Sequence, residues 1–269
     1  MQAQNVFKME NSSPINLKKN SFENLNLTIS SQNGSLLSMP VIDTMLFSDE
    51  LFPNFSKFTF KFVKRTLDLV LSLCLLILLS PVLIITGLII KLTSPGPILF
   101  SQPRVGYKGR QFKFLKFRSM RSDSDDNAHK DYMEKLIRGK TNEINNGSEN
   151  DPHFKLKNDA RITPIGKLIR KTSIDELPQL WNVLVGNMSL VGPRPPIPYE
   201  VKAYDNWHHR RVLDVKPGVS GLWQVSGRNK TTFNEMVRLD IKYLENWSLI
   251  LDFKILLKTA KAVFYAEGH

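Results

Sequence analysis

The stretch "TLDLVLSLCLLILLSPVLIITGLIIK" (66–91) contains 22 consecutive residues without a charge, Leu69 to Ile90. At about 1.5 Å per residue, a straight helix of that length reaches across a hydrocarbon core of about 30 Å. Length alone therefore reads as a single membrane span. Two features oppose it. Ser80 and Pro81 stand in the middle of the run, and both flanks are basic, with Lys57, Lys61, Lys64 and Arg65 before it and Lys91 after it. A span concentrates positive charge on its cytoplasmic side. Proline removes a backbone hydrogen bond and clashes with the preceding turn, so a helix broken at Ser80-Pro81 can enter and leave by one leaflet. A tolerated kink in an ordinary span fits the same residues, and this segment by itself leaves both readings standing. Asp68, three residues after Arg65, is placed for an i,i+3 ion pair near the interface.

Upstream, residues 1–56 are polar and rich in Asn and Ser, with no charged region leading at once into an apolar one. They read as a mostly disordered tail and not as a signal peptide. A chain of 269 residues then holds one folded domain with attachments. The net charge of +12 is uneven: residues 1–56 carry three basic and five acidic side chains, leaving 34 basic against 20 acidic in 57–269. The folded part must meet something anionic, whether phosphate, nucleic acid or acidic lipid. The single cysteine, Cys74, lies in the apolar run, which excludes an internal disulfide and any CxxC metal spacing.

Downstream, "LTSPGPILFSQPRVGYKGRQFKFLKFRSMR" (92–121) ends the helix at Ser-Pro-Gly-Pro and then alternates Phe112, Phe114 and Phe117 with Lys113, Lys116 and Arg118. That pattern predicts a short strand or hairpin. Between Phe100 and Arg121 there are seven basic residues and no acid, which suits either a polybasic patch on anionic lipid or a phosphate-binding wall. Residues 122–160 are polar and read as an exposed insertion without a catalytic role, with one short helix in "SDSDDNAHKDYMEKLIRGK" and a loop at "TNEINNGSENDP".

"KTSIDELPQLWNVLVGNMSLVGPRP" (171–195) sets Asp175 and Glu176 in a basic setting that includes Arg161, Lys167, Arg170 and Lys171. Ile165, Leu168 and Ile169 predict one short helix, and Leu177, Leu180, Trp181 and Leu184 another, with the two acids at the junction. Ser173-x-x-Glu176 matches a capping box, and acids are favoured at helix N-termini. The chemical alternative starts from geometry: adjacent helical residues point about 100° apart, so one acid can face a substrate while the other orients it or holds a metal. Carboxylates among bases suit an anion bridged by a divalent cation. Arg194, between prolines in "VGPRP", offers a restrained fork for a phosphate.

Further on, "VLDVKPGVSGLWQVSGRNK" (212–230) is turn-rich, with Trp223 a candidate for packing. "HHRR" (208–211) reads as a solvated face, because adjacent histidines do not share a helix face and no third ligand follows at metal spacing. In "LDFKILLKTAKAVF" (251–264), Phe253, Leu256, Leu257, Ala260 and Phe264 recur at helical spacing beside Lys254, Lys258 and Lys261. Both an interfacial helix and a core-packed one have that pattern.

"SPVLIITGLIIK", "SPGPILFSQPRVG", "FKFLKFRSM", "RITPIGKLIRKTSIDELPQLWNVLVGNMSLVGPRP" and "KPGVSGLWQVSGRN", within a stretch from about Lys57 to Phe264, together resemble the monotopic polyprenyl-phosphate phosphoglycosyl transferases, bacterial sugar transferases that begin surface-glycan assembly. The resemblance implies a mainly α fold with short β elements. It implies a monotopic membrane protein, with a re-entrant helix broken at Ser80 and Pro81 (57–95) and a cytoplasmic catalytic domain (96–269) at the inner leaflet of the cytoplasmic membrane, which decides the spanning question for the bend. It makes Asp175 the nucleophile on the β-phosphate of a UDP-sugar, releasing UMP and leaving a phosphosugar that undecaprenyl phosphate then takes. Glu176 assists, Mg²⁺ sits on Asp175, and Lys116, Arg118, Arg170 and Arg194 offset phosphate charge. A wall of the nucleotide-sugar pocket becomes an alternative to a structural loop at 212–230.

Overall likeness favours glucose or galactose over N-acetylated sugars, in exopolysaccharide, capsule or other surface-glycan assembly. No nucleic-acid partner is expected, and a homo-oligomer is compatible with the sequence. Unlike the family's larger members, the chain shows no block of four hydrophobic spans before Lys57 and no nucleotide-binding glycine loop, so it reads as a shorter form with a polar tail of unassigned role. A membrane-anchored basic scaffold would also explain the charge and the apolar run, but not the acids grouped beside a proline-fixed arginine. Transfer of a bare sugar, with release of UDP, is the remaining alternative.

Overall fold

A computed structural model describes residues 57–121, 127–148, 151–154, 161–227 and 230–265; the tail expected over 1–56 lies outside them. The chain is mostly helical with a few short strands, as expected. Helix α1 (Lys57–Leu78) meets α2 (Ser80–Thr93) at Leu79. Pro81 opens α2, where its missing N–H is harmless, and the Ser80 hydroxyl donates to the Ile77 carbonyl at 2.8 Å. The two axes bend by 60°. Among the described residues no single helix is long and apolar enough to cross a membrane; the bent pair together has the length and composition. Leu73, Ile77, Leu78, Ile84, Ile85 and Leu88 point outward from it.

Both ends of the pair are fastened to the body. Arg65 donates to the carbonyls of Val183 (2.7 Å) and Leu184 (2.9 Å), which lie at the end of a helix where carbonyls lack intrahelical partners and attract positive charge. Asp68 accepts from the Leu190 N–H at 3.0 Å. The expected Arg65–Asp68 pair is thus replaced by two separate backbone contacts, each satisfying a group the chain leaves open. Lys64 pairs with Asp252 at 2.5 Å, and Asp252 is also 2.7 Å from the Tyr243 hydroxyl. At the other end Ile90 is fully buried against Phe117 and Ile169, and Arg118 donates to the Ser94 carbonyl and hydroxyl at 2.7 and 2.8 Å.

Strands β1 (Leu99–Val105) and β2 (Gln111–Phe117) form the antiparallel hairpin, turning through Tyr107–Gly109. Register pairs Phe100 with Lys116, Gln102 with Phe114 and Arg104 with Phe112. Side chains alternate faces with period two. Lys116 therefore shares a face with Phe112 and Phe114, while Phe117 lies with Lys113 on the other, so basic and aromatic residues do not segregate by face. Helix α3 (Asn127–Ile137) follows, then α4 (Pro164–Lys171), capped by the Thr163 hydroxyl, and α5 (Gln179–Leu184). The buried Asn182 carboxamide donates to Lys113 O (2.8 Å) and accepts from Leu115 N (3.0 Å), so α5 is tied to the backbone that carries Lys116.

Strand β3 (Ser189–Val191) runs parallel to β4 (Gly218–Ser220), with the short helices α6 (Pro198–Val201) and α7 (Arg210–Leu213) between them. Then come α8 (Leu222–Ser226), α9 (Phe233–Glu245), with a Thr232–Glu235 capping box, and α10 (Leu249–Phe264). Phe114, Leu180, Val183, Met188, Leu190, Val191, Tyr243 and Ile255 make the main core. In α10 the buried positions are Asp252, Ile255 and Ala262, whereas Phe253 and Leu257 are exposed; the helix packs on the core and still leaves part of its apolar surface outside.

Two expectations need correction. The segment 122–160 is not an exposed insertion throughout: Ile137, Ile144 and Phe154 are buried, and Ile137 packs with Tyr204, Phe233 and Val237. "HHRR" is not a solvated face, because His208 is fully buried and Arg211 pairs with buried Asp240 at 2.7 Å.

Gly192 and Gly218 bring "VGPRP" against "KPG". A Cβ at Gly192 would stand 2.5 Å from the Lys216 carbonyl oxygen and 2.9 Å from Gly218 N. Both are backbone atoms, which cannot swing aside. Gly192→Ala is expected to cost about 1–3 kcal/mol, read as a lower thermal midpoint; an unchanged midpoint would contradict this packing.

Candidate active site

After α4 the chain reverses through Ser173, whose φ of 57° is left-handed, and makes one 3-10 turn, Ile174–Glu176. A non-glycine residue there is strained by roughly 1–2 kcal/mol. The turn brings Asp175 inside, at 6 % exposure, with Oδ1 buried and without a hydrogen-bond partner. Glu176 accepts from Arg194 Nη1 at 2.8 Å. The capping box suggested by Ser173 and Glu176 does not form: Ser173 makes no side-chain cap bond, because its left-handed backbone replaces the extended conformation of an N-cap.

Burial pushes the Asp175 carboxyl up to about 6, helped by repulsion from Glu176 and opposed by Lys116, Arg170 and Arg194. Desolvation brings Lys116 down to about 8; Asp175 opposes that fall, while Arg104, Arg170 and Arg194 add to it. Arg194 is held above its ordinary value, chiefly by Glu176. Five residues singled out from the sequence therefore meet here, with Glu176, Lys116, Arg170 and Arg194 gathered around Asp175.

Lys116, Arg170 and Arg194 also line a cavity of about 470 Å³, within the usual range for small-ligand sites. Asp175 and Glu176 are not on its wall but adjoin these cations. Arg118 is not brought to the group; it fastens the end of α2, as described above. Arg104 is the cation sequence reading missed. It lines the cavity, donates to the Pro195 carbonyl at 2.9 Å and is lowered to about 10, first by desolvation. Its signal was the period-two spacing of Phe100, Gln102 and Arg104, all on the cavity wall opposite β2 residues of the same face. Trp223 lines the cavity too, so the turn-rich segment contributes wall through that residue. Arg211, from "HHRR", also lines it and donates to the Arg194 carbonyl at 3.2 Å.

Among the described residues, no three His, Cys, Asp or Glu side chains gather as a ready metal site. Magnesium is commonly held by only one or two carboxylates, with substrate phosphates and water filling the other positions. The unpartnered Asp175 Oδ1 fits that mode.

Comparison with known proteins identifies the family. A match to the family described as bacterial sugar transferase covers residues 59–266. The chain is 46 % identical over 215 residues to the UDP-galactose-lipid carrier transferase of Erwinia amylovora, covering 80 % of this chain and 43 % of that one. It is 45 % identical over 217 residues to the undecaprenyl-phosphate galactose phosphotransferase of Salmonella typhimurium, covering 80 % and 43 %. To the exopolysaccharide production protein ExoY of Rhizobium meliloti it is 37 % identical over 207 residues, covering 76 % and 87 %. The chain thus spans less than half the length of the first two relatives and most of the third. Matched from the first turn of α1 to just beyond the end of α10, it belongs to the bacterial sugar transferase family.

Proposed function

We propose that the chain transfers a hexose 1-phosphate from a UDP-hexose to undecaprenyl phosphate, releasing UMP, through a covalent phosphosugar on Asp175. The observation that carries this reading is a buried carboxylate with one unpartnered oxygen, set beside three cations that line a ligand-sized cavity. An oxygen without a hydrogen bond has none to shed before it attacks. Asp175 forms a bond to the β-phosphorus, the bond from that phosphorus to the bridging oxygen breaks, and UMP leaves with the electron pair. An oxygen of the lipid phosphate then attacks the same phosphorus and expels the Asp175 carboxylate, giving the lipid-linked diphosphohexose. Lys116, Arg170 and Arg194 offset charge gathering on the phosphoryl oxygens in both steps. Glu176 holds Arg194 in place at 2.8 Å. Mg²⁺ held by Asp175 and the diphosphate would supply further neutralisation of the leaving group. The relatives named for galactose favour UDP-galactose or its C4 epimer UDP-glucose, and the ExoY name favours an exopolysaccharide or similar surface glycan as the destination.

The same reading seats α1 and α2 in one leaflet as a re-entrant element, with the body on the cytoplasmic face. Its support is that Lys64, Arg65 and Asp68 at one end, and Ile90 and Ser94 at the other, are tied to the same body. A straight span would carry the far end to the opposite side. Exposed Trp181 on α5 and Phe253 and Leu257 on α10 belong to the two helices that hold Arg65 and Lys64, and would meet the interface.

The test is nucleotide release from a panel of UDP-sugars by solubilised protein with undecaprenyl phosphate and Mg²⁺. UMP, not UDP, is expected, with a hexose donor preferred. Asp175→Asn should lose about 10³-fold or more in rate. Its thermal midpoint at pH 7 should not fall, since removing a poorly solvated charge does not harm the fold. Arg194→Lys, which gives up the planar fork, should lose roughly 10²-fold. Release of UDP, or full activity in Asp175→Asn, would sink the reading.

The pH dependence has a definite sign. The nucleophile must be ionised, so kcat/KM should fall as pH drops through about 6, the value for Asp175. Lys116 must be charged, so kcat/KM should also fall as pH rises through about 8. Lys116→Arg keeps its charge at alkaline pH and should move the upper limb well above 8 even if the maximum is lower. An upper limb left in place by that substitution would remove Lys116 from this role.

A further inference from the structure

Three buried polar side-chain atoms in cavity-lining residues have no hydrogen-bond partner: Arg211 Nε, on a guanidinium whose other nitrogens already meet Tyr204, the Arg194 carbonyl and Asp240, and Trp223 Nε1 and Tyr132 Oη, on side chains with no other polar atom. Tyr132 lies on α3 and Trp223 on α8. Both helices pack on α9, whose Phe233 and Met236 also line the cavity. The cations Arg104, Lys116, Arg170 and Arg194 come from other elements: β1, β2, α4 and the loop after β3. The wall therefore has an anion-binding part and, on the α9 side, an aromatic and apolar part with two unmade hydrogen bonds. Buried groups of this kind are nearly always satisfied, so atoms of a cavity wall that find no partner in the protein call for one that enters the cavity, water or a ligand.

We propose that Trp223 and Tyr132 form the subsite for the pyrimidine base of the nucleotide donor. The inference rests on the function proposed above and adds where the donor's base sits. An indole N–H only donates, so its partner must be an acceptor; a tyrosine hydroxyl donates or accepts. Uracil presents two carbonyl oxygens flanking an N–H, which supplies a partner to both. Phosphate is served instead by the cations. Phe233 and Met236 offer apolar contact to a flat ring. Burial pushes the Tyr132 hydroxyl up to about 12, so it stays neutral and able to donate at working pH.

The experiment is calorimetric titration of the full chain in detergent with UMP and with ribose 5-phosphate, which keeps the phosphate and lacks the base. Wild type, Trp223→Phe and Tyr132→Phe are compared, each substitution removing one polar atom and keeping an aromatic ring. Each variant is expected to bind UMP about 3- to 10-fold more weakly, with ribose 5-phosphate unchanged. Unchanged UMP affinity in both variants, or equal weakening toward both ligands, would overturn the subsite and leave the proposed reaction standing. Folded wild-type protein that binds neither ligand would overturn the proposed reaction, and the subsite with it.

Discussion

A carboxylate withdrawn from water with one oxygen unpaired persists only if positive charge is held close to it, and much of this fold serves to hold that charge. Raising Asp175 from 3.8 to about 6 corresponds to roughly 3 kcal/mol. The folded value lies above the unfolded one, so the cost is absent below about pH 4 and fully present above about pH 6. Lys116 is fixed through Asn182, which bonds the backbone on either side of Phe114, at Lys113 and Leu115. Arg194 is fixed by Glu176, by the flanking prolines, and by the close approach of Gly192 to the Lys216–Gly218 backbone. Arg170 comes from α4, which the left-handed turn at Ser173 joins directly to Asp175.

The membrane element is joined to the same frame. Lys64 meets Asp252 on α10, and Asp68 holds the backbone of Leu190 in β3, shortly before Pro193 and the arginine that follows. At the far end α2 packs on Phe117, next to Lys116 in β2. A lipid phosphate presented by the bilayer would therefore meet cations whose positions are referenced to the membrane helices themselves, which is a physical reason for one body to carry both anchor and site.

Much of this was legible in the sequence because it depends on local chemistry. Proline in an apolar run marks the helix break, Ser-Pro-Gly-Pro marks the helix end, and period-two spacing marks the hairpin. Asp175, Lys116, Arg170 and Arg194 are charges in a conspicuous setting. What stayed hidden depends on partners distant in the chain. Glu176 matched a capping box, and only the fold shows it bonded to Arg194. Arg118 and Arg104 look equivalent in a basic stretch, but one fastens Ser94 and the other lines the cavity. "HHRR" is polar by composition, yet His208 and Arg211 are buried, and Asp240, far along the chain on α9, supplies the countercharge to Arg211. The scattered apolar residues of 122–160 gave no period, and the burial of Ile137 is set by Tyr204, Phe233 and Val237.

The most direct measurement of the central claim is single turnover without a lipid acceptor. Protein mixed with UDP-galactose or UDP-glucose and Mg²⁺, with undecaprenyl phosphate left out, is quenched in acid and analysed for UMP and for intact mass. A burst of UMP approaching one per protein is expected, with a matching gain of one hexose phosphate located on the peptide carrying Asp175. UMP formed only when the lipid is present, with no adduct at any time from active protein, would mean direct transfer and would contradict the account.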